Sequence, residues 1–366
     1  MKFESLRNLF PIVNKFLYFN AASLSPYCYP VIDSMRKFEL ERAIYGSLCF
    51  DKWSQEVEDC RKLAAKICRA KESEIAFVKN TSEGVNLVAL IIDWEKGDNV
   101  IVSDLDFPAN IYPFLNLRRK GVEIKYVRNV GGKLLPEELE REIDDNTKLV
   151  SISSVMYGNG FRVDLNEIGK ICVEKGVLLH VDATQSLGVF EMDVKSYNID
   201  FLSAGGYKWL LSPLGSGIFY IKEELIDDPP ILGWLSVKDY KAMNIYRYEL
   251  KDSASRFEIG NMDISAIIGM KSALELIFSI GLKKIQKRVL DLATSLLEGL
   301  EKFELLSSFE RKNRSGIISI KNNLNEKYLL NKGVIASFRE YIRFSPHIYN
   351  SEEDISKLLD ILNSIG

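Results

Sequence analysis

The stretch that best indicates the fold and chemistry of this chain is Phe201-Leu-Ser-Ala-Gly-Gly-Tyr-Lys208-Trp-Leu-Leu-Ser-Pro-Leu-Gly-Ser-Gly-Ile-Phe-Tyr-Ile221. The glycines before Lys208 and the Pro-Leu-Gly-Ser-Gly run after it predict a turn between two buried strands. Burial disfavours the ammonium form, so a lysine in such a turn has a lowered pKa and can form a Schiff base with a carbonyl. An ordinary surface lysine is the alternative, and this stretch alone leaves both interpretations open.

Composition indicates an ordinary globular protein. The chain has 366 residues, 46% hydrophobic and 27% charged, which suits a large domain with a smaller one. Its formal net charge of -3 predicts no surface for nucleic acid or for an anionic membrane. The apolar run from Val85 to Trp94 contains Asn86 and Asp93 and is far shorter than the roughly 20 residues of a membrane span.

The cysteines and histidines exclude several chemistries. The five cysteines, an odd number without scaffold or metal spacing, predict a reduced, cytoplasmic protein. His180 and His347 are the only histidines and lie in no recognisable motif, which argues against a Ser-His-Asp triad or a metal site. Neither a P-loop nor a GxGxxG turn after a strand is present.

Strands and helices alternate through the first two thirds of the chain. Predicted strands at 74–80, 99–103, 122–127, 147–157 and 176–182 are separated by helices, a pattern typical of a mostly parallel sheet between helices. After the break at Asp227-Asp-Pro-Pro230, a long helical region reaches Phe303 with an interruption near Gly281, and a small α+β unit follows. The sequence therefore predicts an α/β fold.

Polar residues follow several of these strands. Thr81 or Ser82 supplies a helix N-cap after the first strand, where free backbone N–H groups also suit a phosphate. Asp182, with Gln185 three residues later, ends a buried strand where such sheets bind ligands, although capping of the next turn is an equal alternative. Phe107 is either a core residue or an exposed aromatic plate.

Together these residues resemble, in order and spacing, the class V (cysteine desulfurase-like) branch of fold-type I pyridoxal phosphate enzymes. The resemblance covers nearly the whole chain and extends to Arg256-Phe-Glu-Ile-Gly260 and to Arg343-Phe-Ser-Pro-His-Ile-Tyr-Asn-Ser-Glu-Glu-Asp354. It implies a large cofactor-binding domain over 21–257 and a small α+β domain over 258–366, against which 1–20 packs. It also implies a homodimer.

The resemblance assigns roles around the cofactor ring. Lys208 holds pyridoxal phosphate as a Schiff base and exchanges the proton at the substrate Cα. Asp182 pairs with the pyridine nitrogen and keeps the ring an electron acceptor. Gln185, with Ser154 as a second contact, hydrogen-bonds the phenolic oxygen, and Phe107 stacks on the ring face.

Further roles concern the anionic groups of cofactor and substrate. Thr81 and Ser82 hold the phosphate at a helix N-terminus. Arg343 binds the substrate α-carboxylate as a bidentate pair. Gly260 and Asn261 reach toward the phosphate in the partner subunit.

Departures from the family pattern shape the predicted reaction. Tyr207 and Gly205 stand where relatives often carry histidine and serine, Asn261 where threonine is frequent, and Phe107 replaces the histidine that desulfurases stack on the cofactor. A desulfurase also needs a cysteine nucleophile in its C-terminal third, whereas the last cysteine here is Cys172.

The chain therefore resembles the aminotransferase and isopenicillin N epimerase-like members more than true sulfur donors. We predict transamination of a small amino acid, with a keto acid as the second reactant. A racemase or epimerase, a β-lyase and a catalytically idle binding module that keeps the fold are the alternatives.

Overall fold

The computed structural model describes residues 3–321 and 324–364. Its α-helices are α1 (Phe3–Arg7), α2 (Tyr29–Tyr45), α3 (Phe50–Cys68), α4 (Thr81–Ile91), α5 (Tyr112–Leu115), α6 (Pro136–Glu142), α7 (Leu165–Lys175), α8 (Ile264–Ile280), α9 (Leu282–Gly299), α10 (Glu326–Asn331) and α11 (Glu352–Asn363). Its strands are β1 (Leu17–Tyr18), β2 (Ile75–Val78), β3 (Asn99–Ser103), β4 (Glu123–Val127), β5 (Thr147–Ser153), β6 (Leu178–Asp182), β7 (Phe201–Gly205), β8 (Gly217–Ile221), β9 (Ile318–Lys321), β10 (Val334–Ile335), β11 (Ser337–Phe338) and β12 (Tyr341–Phe344). The predicted alternation of strands and helices is confirmed.

One large sheet positions the site. Within the described residues it has seven strands in the order β2-β8-β7-β6-β5-β3-β4. Neighbouring pairs among β7, β6, β5, β3 and β4 are parallel, and β8 runs antiparallel to both β2 and β7. The carboxyl ends of β2, β3, β5, β6 and β7 therefore lie along the same edge of the sheet, which is where open α/β sheets bind ligands.

Both faces of this sheet are buried, as its apolar strands predict. Ile101 of β3 packs in one hydrophobic cluster, whereas its neighbours Val100 and Val102 pack in a second cluster on the opposite face. Side chains alternate across a strand, so two separate clusters on one strand mean two covered faces. The predicted mixed α/β architecture with a mostly parallel sheet is confirmed.

Helix ends follow local sequence signals. Asp164 caps α7 by accepting the N–H of Glu167 at 3.2 Å, and Gly176 ends that helix with φ 68°. Gly281, with φ 91°, separates α8 from α9. The interruption predicted near Gly281 is thus confirmed, because glycine adopts positive φ at little steric cost.

The C-terminal strands form a separate small sheet. β9, β12 and β11 are antiparallel neighbours, and β1 near the N-terminus pairs in parallel with β10. A third hydrophobic cluster joins these strands to α11 and to the second half of α9. The division of the chain into domains at residues 257 and 258 remains a prediction.

Two further properties of the described residues concern membrane spans and metal ions. No single helix there has the length and apolar composition needed to cross a membrane, and α8 and α9 reach that composition only as a pair bent by 83°. In the same part of the chain no group of three or more His, Cys, Asp and Glu side chains is arranged to hold a metal ion.

Candidate active site

Lys208 lies in the turn between β7 and β8, as the sequence predicts. Main-chain hydrogen bonds hold this turn: Gly206 N donates to Ser216 O at 2.8 Å and Leu211 N donates to Lys208 O at 3.0 Å. The Lys208 Nζ lies 5.7 Å from the ring centroid of Phe107. Burial lowers the pKa of Lys208 to about 8, against the opposing effect of a nearby aspartate. The neutral form of this amine is therefore much easier to reach near neutral pH than that of an ordinary lysine.

Asp182 is that aspartate. It ends β6 with a buried side chain, and its Oδ1 accepts the N–H of Thr184 at 2.9 Å. Burial raises the pKa of Asp182, whereas the hydrogen bond from Thr184 and the charge of Lys208 lower it. The structure brings this carboxyl group within electrostatic reach of the lysine amine, as the sequence predicts.

Phe107 follows β3 and lies on the lysine side of the site. Its half-buried ring packs edge-on against the ring of Tyr157, with 5.1 Å between centroids and an interplanar angle of 76°. A partly exposed aromatic ring beside a buried amine fits the predicted aromatic plate.

The start of α4 differs from the sequence prediction in one respect. Asn80, rather than Thr81 or Ser82, is the N-cap, because its backbone is extended and its Oδ1 accepts the N–H of Glu83 at 3.0 Å. Thr81 already lies inside the helix. Its Oγ1 accepts the N–H of Gly205 at 3.0 Å and lies 2.7 Å from Thr184 Oγ1. The prediction that Thr81 or Ser82 caps the helix was wrong.

The N-terminus of α4 is nevertheless suited to bind an anion. Ser82 is exposed, and first-turn N–H groups of a helix have no intrahelical partner. The hydroxyls of Thr81 and Thr184 lie close by, next to β7. Sequence reasoning missed Thr184, although its position two residues after Asp182 was the available signal.

Gln185 connects three segments around the lysine turn. Its Nε2 donates to Ala22 O at 3.0 Å, and its Oε1 accepts the indole N–H of Trp209 at 2.7 Å. The side chain therefore fixes the residue that follows Lys208. Its contact with the cofactor remains a prediction.

Ser154 and Asn261 are not brought together with Lys208 by a contact. Ser154 Oγ donates to Asp182 O at 3.1 Å and lies 2.6 Å from Ser186 Oγ, so its hydroxyl supports the main chain behind Asp182. Asn261 is exposed in a cleft beside the start of α4 that Lys79 and Glu83 also line. The predicted roles of both residues toward the cofactor remain predictions.

Arg343 on β12 is a buried cation at this site. Its guanidinium donates to Tyr157 O and to Ser23 Oγ, each at 2.6 Å, and its Nε has no hydrogen-bond partner among the described residues. No carboxylate within the described residues forms an ion pair with it. Burial lowers the pKa of Arg343 to about 10. A buried guanidinium without a counter-ion is costly, so this position favours an anionic ligand.

Two further residues were not singled out from the sequence. Tyr157 supplies the carbonyl that Arg343 contacts and the ring that Phe107 contacts. Arg339 lies at the turn between β11 and β12, with Cζ 5.6 Å from the centroid of the Tyr157 ring. The available signal for Tyr157 was its position at the end of a predicted strand, and for Arg339 its position between two short strands.

The donor set at this edge of the sheet fits pyridoxal phosphate. It combines a buried amine, a carboxyl group, an aromatic face, a helix N-terminus and the unpartnered Nε of Arg343. Gly205 permits close packing here, since a Cβ at this position would lie 2.8 Å from Tyr207 Cε1 and 3.1 Å from Thr81 Oγ1. Lys208, Asp182 and Thr81 are the side chains placed to hold such a group.

Known proteins of similar sequence identify the family of this chain. The family model described as aminotransferase class-V matches residues 17–358. A probable cysteine desulfurase from Pyrococcus abyssi is 30% identical, covering 99% of this chain and 97% of the relative. Another from Methanothermobacter thermautotrophicus is 28% identical, covering 100% and 98%.

A solved structure is similar over the same length. The apo structure of cysteine desulfurase from Thermococcus onnurineus NA1 superimposes with a TM-score of 0.91 at 27% identity, covering 99% of this chain and 97% of that one. The chain therefore belongs to the class V aminotransferase family of fold-type I enzymes, and its cofactor is pyridoxal phosphate.

Proposed function

We propose that this protein removes the Cα proton of a small amino acid and transfers its amino group to a keto acid. The observation that carries the proposal is the half-buried amine of Lys208, which has a lowered pKa and lies within electrostatic reach of Asp182 and of the guanidinium of Arg343. An amine with a pKa near the working pH is suited to both proton removal and proton return.

The cofactor supplies an electron sink for the charge that develops when the Cα proton leaves. Lys208 is the group that binds the cofactor aldehyde and afterwards moves the Cα proton. Asp182 holds a proton at the pyridine nitrogen, a role that suits a buried carboxylate next to a cationic group. Phe107 supports the ring and excludes water from one of its faces.

Arg343 orients the substrate by its α-carboxylate. Its Nη1 and Nη2 already donate to Tyr157 O and Ser23 Oγ, so the guanidinium is held in a fixed plane before substrate binds. Fixed geometry reduces the entropy cost of bringing the Cα proton to Lys208. The N-terminus of α4, with Thr81 and Ser82, binds the phosphate, and Asn261 of a second copy completes that site in a homodimer.

Cleavage of a C–S bond is the second candidate, favoured by the names of the relatives from Pyrococcus and Methanothermobacter. Transfer of sulfur through a protein persulfide is not favoured, because the sequence has no cysteine after Cys172. The hairpin of β11 and β12 closes with only Arg339 and Glu340 between its strands. Sulfur would then leave as sulfide or pass directly to a small acceptor.

The test begins with the purified protein and added pyridoxal phosphate. We expect a visible absorption band that borohydride removes, with the label recovered on the peptide that contains Lys208. Amino acids are then screened for loss of the band and for keto acid release, with restoration by a keto acid as the mark of transamination.

The same screen separates the competing reactions. Cysteine giving pyruvate and sulfide identifies the lyase, and loss of optical activity without keto acid identifies a racemase. A preparation that stays colourless with added pyridoxal phosphate contradicts both enzyme proposals and leaves a binding module.

A further inference from the structure

Asp106 is a buried carboxyl group without a role in the proposed reaction. It lies in the loop after β3, directly before Phe107, and is 5% exposed. Its Oδ1 accepts the N–H of Ser153 at 2.9 Å, and its Oδ2 accepts the N–H of Ser103 at 3.2 Å. Both donors are uncharged main-chain groups, at the ends of β5 and β3. Keeping a carboxylate charged at a buried position costs free energy, and a nearby positive charge reduces that cost.

Asp106 lies near Asp182 at the end of β5. Ser153, whose N–H binds Asp106, is the register partner of Asp182 on the neighbouring parallel strand. Burial raises the pKa of Asp106 to about 7, against the hydrogen bonds from Ser153 and Ser103, and the charge of Asp182 raises it further. Two carboxyl groups therefore lie within electrostatic reach of each other at the carboxyl edge of the large sheet.

The segment from Asp106 to Asn110 carries Phe107. At its far end, the Oδ1 of Asn110 accepts the hydroxyl of Ser151 on β5 at 2.9 Å. Asp106 and Asn110 therefore fasten this segment to β5 on both sides of Phe107. The ring centroid of Phe107 lies 5.7 Å from Lys208 Nζ. The position of this ring beside the lysine is thus fixed by hydrogen bonds within the protein.

The charged groups around this segment divide into two sets. On β6, Asp182 acts on Asp106, and Lys208 in the turn after β7 acts in turn on Asp182. Asp104, on the same loop as Asp106, instead forms an ion pair with Arg128 after β4, at 3.8 Å. Asp104 is therefore a matched carboxylate on the same loop that pairs with a different part of the protein.

We propose that Asp106 is a positioning residue for the ring of pyridoxal phosphate. Together with Asp182, its negative charge favours the proton at the pyridine nitrogen, because two neighbouring carboxylates hold a positive charge more strongly than one. Its main-chain hydrogen bonds hold Phe107 at the ring face. The inference rests on the proposed function, which assigns Asp182 to the pyridine nitrogen.

Two ligands that differ at one ring atom test the electrostatic part of this inference. Cofactor-free protein is titrated, above the pKa of Asp106, with pyridoxal phosphate and with its carbocyclic analogue, in which carbon replaces the pyridine nitrogen. We expect the wild type to bind pyridoxal phosphate more tightly than the analogue, and Asp106→Asn to reduce the ratio of the two affinities about tenfold. Asp106→Glu keeps the charge and restores part of the ratio. Asp104→Asn changes the net charge equally and leaves the ratio unchanged.

The ratio of affinities separates this role from a merely structural one. Asp106→Asn also deprives one of the two main-chain N–H groups, of Ser103 or of Ser153, of its acceptor, which lowers stability and affects both ligands alike. If Asp106→Asn does not fold, Asp106→Ser supplies the neutral side chain. A parallel fall of both affinities with an unchanged ratio overturns the electrostatic part.

A double-mutant cycle tests the support that Asp106 gives to Phe107. We expect Phe107→Leu to weaken the binding of both ligands. Asp106→Asn should then weaken the binding of the carbocyclic analogue less in the Phe107→Leu background than in the wild type, because the two residues act as a unit. Additive effects of the two substitutions overturn this part of the inference.

Failure of this inference is distinguishable from failure of the proposed function. If Asp182→Asn abolishes the preference for the ring nitrogen and Asp106→Asn leaves it intact, the inference is overturned and the assignment of Asp182 stands. Equal affinities of the wild type for the two ligands overturn the assignment of Asp182, and the inference with it. Keto acid release in the amino acid screen decides on transamination independently of both.

Discussion

Two regions build the candidate site in different ways: the carboxyl edge of the large sheet and the hairpin of β11 and β12. Lys208 lies on the sheet edge in a turn held by main-chain hydrogen bonds, and Asp182 ends β6, where its carboxylate accepts the N–H of Thr184. Arg343 and Arg339 lie on the hairpin, one with 2% exposure and the other exposed at the turn. Under the proposed function, the sheet edge performs the chemistry, whereas Arg343 on the hairpin binds the substrate.

The largest effect is expected from removal of the Lys208 amine, which tests whether the sheet edge performs the chemistry. We expect Lys208→Ala to lower kcat by at least about 10³-fold, because the general base and the covalent attachment are both lost. Circular dichroism should remain that of the wild type. Lys222→Ala, an exposed lysine at the end of β8, is the matched control. If Lys208→Ala kept an activity comparable with that of the wild type, Lys208 would not be the catalytic base.

Removal of the buried Arg343 side chain tests whether the hairpin binds the substrate. We expect Arg343→Ala to weaken substrate binding by about 2 to 5 kcal/mol, because the substrate carboxylate loses its charged partner. The effect should appear mainly in KM. Arg162→Ala is a matched control, since Arg162 also has a buried Nε without a partner and stacks on Phe190 rather than lying at this site. An unchanged KM in Arg343→Ala contradicts the carboxylate role.

The sequence predicts the residues of the sheet edge more completely than those of the hairpin. Lys208, Asp182 and Phe107 were found because each follows a strand, and the carboxyl ends of parallel strands share one edge. The N-cap of α4 was assigned wrongly to Thr81 or Ser82, because a run of polar residues contains several possible caps. The extended backbone of Asn80 decides among them.

Other parts of the site depend on tertiary contacts between distant segments. Gln185 contacts Ala22 and Trp209, and no spacing in the sequence indicates that its amide is already bonded on both sides. Arg339 becomes part of the site only because the hairpin packs its turn over Tyr157. Pairing between segments more than a hundred residues apart leaves no local pattern, so such residues escape sequence analysis.

A smaller effect is expected from the protonation state of Lys208, which tests the environment of its amine at the sheet edge. Burial lowers the pKa of Lys208, so its neutral, reactive form grows as the pH rises through about 8 rather than near the ordinary lysine value of 10.5. We expect the rate at which added pyridoxal phosphate generates the visible band in cofactor-free protein to have its midpoint there. In Asp182→Asn the midpoint moves to lower pH, because Asp182 favours the ammonium form. A midpoint near 10.5 contradicts the buried position of the amine.

The smallest expected effect concerns the thiols, and it separates this chain from sulfur donors. Cys28, Cys60, Cys68 and Cys172 are buried, and burial raises the pKa of Cys68 and Cys172 to about 12, so these thiols are poor nucleophiles. Cys49 is partly exposed but packs beside Phe38 and Trp53 rather than on the sheet edge.

We therefore expect Cys49→Ser to keep kcat/KM within about twofold of the wild type, as for a substitution away from the site. Cys172→Ser is the buried control. With cysteine as substrate, thiol trapping followed by mass spectrometry should detect no persulfide on the protein. If Cys49→Ser abolished both turnover and a trapped persulfide while Cys172→Ser did not, the thiol would take sulfur from the substrate. Sulfur transfer would then use a cysteine outside the hairpin, and the division between chemistry at the sheet edge and substrate binding at the hairpin would have to include a third region.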